Sequence, residues 1–252
     1  MKKSNLALLF LMSTSACFAQ DKTYTSREDL NEQINQYLNS QNLPLPNSGI
    51  QIIPVAELSG SIEDEDKEIK MLKEQKKNGF IKVDNPRAKE LMEFRHTASH
   101  QIQKNSDNYL AQGTHLRKSI HELNMGYTFL GVPESLMTHN LGVAPYGAYH
   151  ENGWDGAIQF FENKEIGTCA FAEHSIKLSR GGVRLAKEAV TFEINDKPTL
   201  IHVKGNYASG YVYNIQWYDN DFARSIECAH KNYQPSITNN VIGLARNIDS
   251  NS

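Results

Sequence analysis

At Gly126 the spacing of apolar residues changes from steps of three and four to steps of two. A helix repeats about every 3.6 residues and a strand every two, so this switch divides the chain into a part that buries itself as helix and a part that buries itself as sheet. Before the switch, Pro86 opens a stretch in which Leu91, Phe94, Ala98 and Ile102 make one stripe and Tyr109, Leu116, Ile120 and Leu123 another. A helical region reaching about Asn124 is expected, as one long helix or as a hairpin turning at Asn105–Asn108.

Further upstream, Ser26 is placed to cap a helix carrying Leu30, Ile34, Tyr37 and Leu38, and the run Leu43-Pro44-Leu45-Pro46-Asn47 stops it. Ile50–Val55 reads as a short strand. Ser61 caps a second helix with Asp64 three residues on. Acidic residues crowd its first turn and Lys70, Lys73, Lys76 and Lys77 its end, which suits the helix dipole. Its apolar stripe is only Ile62, Ile69 and Leu72, so most of its surface is expected to face water.

Beyond Gly126, Val132–Gly156 is rich in Gly, Pro and Asn and reads as an irregular connector with short strands. Alternating runs then follow: Ala157–Phe161, Thr168–Leu178, Val190–Ile194, Leu200–Val203, Tyr211–Tyr218 and Phe222–Ala229, separated by short turns. The last stripe, Ile237, Val241, Leu244 and Ile248, is helical again and is expected to cover the sheet. The reading is an α+β chain, with a helical region over 20–124 and, over 125–252, an antiparallel meander of about five or six strands with a C-terminal covering helix.

Residues 1–19 have the layout of a secretory signal peptide. Lys2 and Lys3 precede the apolar run Leu6–Met12, and small residues lead to a Cys17-Phe18-Ala19 | Gln20 junction. A membrane span needs about 20 apolar residues, and neither this run nor any later one reaches that. The expected location is the periplasm or the extracellular space. Lipid anchoring at Cys17 is disfavoured, because Thr14, Ser15 and Ala16 lack the Leu that a bacterial lipoprotein signal carries. Without the leader the chain holds 24 basic and 29 acidic residues, and neither half is basic, so nucleic acid is not an expected partner.

Two cysteines then remain, and an even count in an oxidising compartment points to one disulfide. Alternation puts Cys169 on the face of Phe171, and Cys228 on the face of Phe222 and Ile226, so both sulfurs point into a core. The competing reading is a nucleophilic cysteine assisted by His174 or His230.

Other constellations are sparse. Glu93, His96 and His100 share one side of a helix at a spacing that can hold a metal ion, although Thr97 stands where a zincin motif has Glu. Trp154, among turn residues, and Tyr207 and Tyr218, in an aromatic-rich run, are candidate ligand contacts. The basic group Lys177, Arg180, Arg184 and Lys187 flanks a Gly-Gly turn and reads as solvated. Asp219-Asn220-Asp221 reads as a hairpin turn. No nucleophile elbow or phosphate-cradling loop occurs, and no cofactor is implied. Three functions follow in order: an exported binding or accessory module contacting another envelope or extracellular protein or an envelope component; a secreted hydrolase with a site assembled from dispersed His, Asp and Glu; and a metal carrier using His96 and His100.

Overall fold

A computed structural model describes residues 49–101 and 116–252, with side chains described over 49–98 and 116–252. The leader with Cys17, the helix expected from Ser26, the break at Leu43–Asn47 and the Asn105–Asn108 turn lie outside the described residues. In chain order the elements are β1 (Gly49–Ile53), α1 (Val55–Leu58), α2 (Ile62–Asn78), β2 (Ile81–Lys82), α3 (Pro86–Gln101), β3 (His139–His150), β4 (Gly153–Asn163), β5 (Gly167–Ser175), α4 (Ile176–Ser179), β6 (Gly182–Ala186), β7 (Val190–Ile194), β8 (Lys197–Asn206), β9 (Gly210–Tyr218), β10 (Phe222–His230) and α5 (Pro235–Asp249).

The architecture is α+β with a mostly antiparallel sheet. Two meanders, β3-β4-β5 and β8-β9-β10, join where β5 lies beside β10, giving the order β2-β8-β9-β10-β5-β4-β3 with β7 also paired to β8. Between the meanders the chain leaves the sheet, and β6 pairs in parallel with β1. β2 pairs in parallel with β8. Residues on both sides of Asn124 thus interleave, and Asn47–Ser252 form one compact unit.

Local chemistry explains most boundaries. Ser61 Oγ accepts from the Asp64 N–H at the start of α2, and Gly79 ends that helix in the left-handed conformation, with φ of 82°. A Cβ at Gly79 would run into the Tyr233 hydroxyl, so this close approach needs glycine. The β7–β8 hairpin turns on Asn195 and Asp196, both with positive φ, a pairing that matches the twist of the flanking strands. Asp219 closes the β9–β10 turn by accepting from the N–H groups of Asp221 and Phe222.

Two stretches differ from the sequence expectation. The connector read over Val132–Gly156 contains the 12-residue strand β3. β3 is an edge strand, where Pro145 leaves no ladder bond unmade, and it is bulged between Asn140 and Gly142 and between Tyr146 and Tyr149. The helix expected to reach Asn124 is absent over 116–124: Arg117 bridges to Val143, and Ser119 and Glu122 form a capping box on a single 3₁₀ turn.

The core lies between one face of the sheet and α5. Phe161, Phe171, Tyr213, Ile215, Trp217 and Ile226 meet Ile237, Val241, Leu244 and Ile248. On the other face, Leu91 of α3 buries against Ala170 and Ala229, and the Phe94 ring stacks on Phe160 at 4.2 Å. Cys169 and Cys228 stand opposite each other on β5 and β10, fully buried and joined in a disulfide. That bond removes the nucleophilic-cysteine reading, because neither sulfur is free. The outer edge of β8 between its β7 and β2 pairings is closed by the Gln75 amide, which donates to Ile201 O and accepts from Val203 N–H. Among the described residues no helix is long and apolar enough to cross a membrane.

The end of α5 carries an acidic residue where the helix dipole disfavours one. Buried Asp249 is held there by Trp217 Nε1 at 2.9 Å, Lys197 Nζ at 2.7 Å and the Asn195 amide at 2.9 Å. Arg224 lies 3.8 Å away and itself binds Glu173 and Asp219, each at 2.6 Å. This network ties helix to sheet, and every carboxylate in it has a cationic partner.

Candidate functional site

Two places combine geometry with chemistry. The first is a groove of about 720 Å³ between α2 and the start of α5, over the β8 edge. Ile69 and Leu72 of α2, Ile201 and Val203 of β8, and Tyr233 and Pro235 supply apolar walls. Gln75, Thr191 and Asn239 add polar groups to the lining. Lys73 and Lys76 stand exposed on the α2 rim, and neither makes an ion pair among the described residues. Glu188 on the facing wall is occupied by the Val55 N–H. Thr238 Oγ1, also in the lining, is buried without a hydrogen-bond partner. A concave, mostly apolar surface of this volume with a few convergent polar groups is the usual form of a small-molecule site.

The second lies where β3 bulges over β4. Asp155 is buried, with one carboxylate oxygen accepting from Ala148 N–H at 2.8 Å and the other 2.7 Å from His150 Nε2. His174 of β5 approaches from the other side, with Nδ1 3.5 Å from Asp155. The Tyr146 ring stacks on His174 at 5.8 Å and lies over Gly156, where a Cβ would press into it. Gly147, at φ of 83°, leaves room for the Asp155 carboxylate. Burial pulls the His174 imidazole below the ordinary histidine value and His150 adds to this, while Asp155 opposes it.

The residues singled out by sequence fall elsewhere. Glu93 and His96 are exposed on α3, and Glu93 lies 3.8 Å from Lys89. The His100 side chain is outside the described residues, and among those described no group of three His, Cys, Asp or Glu side chains is placed to hold a metal ion. Trp154 is buried with its Nε1 unpartnered and its ring edge-on to Tyr149. Tyr207 is 81% exposed, whereas Tyr218 is buried and donates to Gln216. The structure brings none of these three together. Asp155 escapes a sequence reading because it sits in the turn-like Asn152–Gly156, and its partners reach it only through strand register. The signal for the groove is the α2 stripe, too thin to be a core face and too apolar to be a solvated one.

A buried polar row also crosses the α3 side of the sheet: His202, Asn214 and Glu227 stand in register on β8, β9 and β10. Glu227 accepts from Asn214 and Arg87, while His202 Nδ1 has no partner. Burial lowers the His202 pKa to about 4, and Lys204 adds to the effect. A histidine whose folded pKa is depressed costs nothing above its unfolded value near 6.5. It lowers stability as pH falls from there towards 4, because the unfolded chain takes up the proton first. Replacing His202 with Leu should therefore remove about 3 kcal/mol of acid sensitivity between pH 6.5 and 4, as read from urea unfolding at the two ends.

The chain matches no protein-family model, no curated protein and no solved structure.

Proposed function

We propose that the chain is an exported binding protein whose groove between α2 and α5 holds an envelope component: an elongated apolar molecule with an anionic end. The observation that carries this reading is the groove itself, with a mostly apolar floor and two exposed lysines on its rim that make no ion pair among the described residues. The apolar walls account for uptake of a hydrocarbon chain, at about 25 cal/mol per Å² of surface removed from water. Lys73 and Lys76, close on one face of α2, set the sign of the end group. The leader and the buried disulfide agree with an oxidising compartment outside the cytoplasm.

Titration with dodecanoate, followed by thermal unfolding and calorimetry, tests the reading. Saturating ligand should raise stability by about 2.7 kcal/mol at 100 times Kd. An Ile69→Ala/Leu72→Ala variant, which trims side chains that also pack against Val55, Ala186 and Ala189, should weaken the effect. Lys73→Glu/Lys76→Glu should turn the preference towards dodecyltrimethylammonium. No uptake of either amphiphile by the folded protein would overturn the proposal.

A further inference from the structure

We propose that His174 is the base of a hydrolytic site, separate from the groove, that cleaves uncharged acyl esters, with Asp155 as its positioning residue. The two ring nitrogens of His174 differ in their surroundings. Nδ1 of His174 is buried and lies 3.5 Å from Asp155 without a hydrogen bond among the described residues, whereas the side chain as a whole is 28% exposed. The exposed part of the ring is therefore the Nε2 side, and no protein group engages that nitrogen among the described residues. A nitrogen beside a buried carboxylate and another open to solvent are the parts of a general base whose orienting hydrogen bond, from Nδ1 to Asp155, would tighten in the substrate complex.

The surroundings are built to hold it. Asp155 cannot rotate away, because Ala148 N–H and the His150 ring fix its two oxygens from the β3 bulge. Tyr146 stacks against the imidazole, and the absence of a side chain at Gly156 lets that ring lie flat across the sheet. His174 is pulled towards its neutral form by burial, so the base form is present at neutral pH. The charged groups acting on it are Asp155 of β4 and His150 of β3; Tyr146 faces it from β3, and the residue in register on β10 is Ala223. Among the described residues neither a lysine nor an arginine pairs with Asp155, which favours an uncharged ester over a phosphate ester.

The step balances without a further reactant. A water oxygen adds to the acyl carbon while its proton passes to His174 Nε2. The bond from that carbon to the leaving oxygen breaks, and the same proton returns from Nε2 to the departing alcohol. The products are a carboxylic acid and an alcohol.

Hydrolysis of p-nitrophenyl acetate by the full chain, measured from pH 5 to 8 against imidazole at equal concentration, tests this. The protein should exceed imidazole by about 100-fold, and His174→Gln should lose that excess. Activity should rise with deprotonation at a midpoint below the ordinary histidine value. His150→Gln should move the midpoint up, since His150 lowers the His174 value, and Asp155→Asn should move it down and reduce kcat. A purely structural role for Asp155 would leave the midpoint in place. If Asp155→Asn does not fold, the His150→Gln midpoint and the His174→Gln rate still decide. A rate equal to that of imidazole, or one indifferent to His174→Gln, would overturn the proposal, and neither result bears on amphiphile uptake in the groove.

Discussion

Arg224→Met should cost about 3–5 kcal/mol at neutral pH, making it one of the most damaging single substitutions in the chain. Arg224 is 6% exposed and bonds two carboxylates at 2.6 Å while a third lies at 3.8 Å. Methionine replaces much of its volume but strands Glu173, which is itself buried. Burial already pushes the Glu173 carboxyl above its usual range, and Arg224 is the main influence holding it down. The loss should consequently shrink as pH falls and Glu173 takes up a proton, since a carboxyl with a raised folded pKa costs its full amount above that pKa and nothing below its unfolded value. Restoring a neutral partner, in Arg224→Met/Glu173→Gln, should recover a large part of the loss. Urea unfolding at pH 7 and pH 5 on the three variants checks this. Equal losses at both pH values would show that the arginine acts through packing alone.

Removing the disulfide should have a comparable effect through the opposite state. The bond between Cys169 and Cys228 closes a loop of 59 residues, and in the chain-entropy account this constrains the unfolded chain by about 4 kcal/mol. The Cys169→Ala/Cys228→Ala protein should therefore unfold at a temperature lower by on the order of 10 °C. Its fold should persist, because the surrounding contacts of Phe171, Ile226, Tyr213 and α5 are unchanged. Both sulfurs are fully buried, so the native protein should resist reductant until it is unfolded. Calorimetry with and without reductant reads both effects, and a midpoint unaffected by the double substitution would refute the entropic assignment.

The parts legible in the sequence are those where one period runs without interruption. β9 alternates Tyr211, Tyr213, Ile215 and Trp217 into the core, and α5 buries Ile237, Val241, Leu244 and Ile248, both as the stripes imply. The disulfide follows from the same parity, since Cys169 and Cys228 fall on core-facing positions of strands that lie side by side. β3 was hidden because an edge strand tolerates Pro145 and two bulges that erase the alternation. The non-helical course of 116–124 was obscured because Leu116 satisfies a helical stripe while the backbone beside it pairs with β3. Tertiary pairing outweighs a propensity worth a few tenths of a kcal/mol per residue.

The sites were less legible, for a related reason. Asp155, His150 and His174 come from two strands and a bulge, and only register places them together. The groove joins a helix from the first third of the described chain to β8 and α5, and no local pattern announces such a junction. Lys73 and Lys76 look in sequence like part of the ordinary basic end of a helix, and Lys76 does lie in its last turn.

Native mass spectrometry of the protein purified without reductant from the envelope or culture medium of the producing cells tests the central claim most directly. The expected species is a chain beginning at Gln20, two hydrogens lighter than the dithiol, that carries one dodecanoate when the amphiphile is added and releases it on denaturation. A chain retaining residues 1–19, two free thiols, or a mass unchanged by the amphiphile would contradict it.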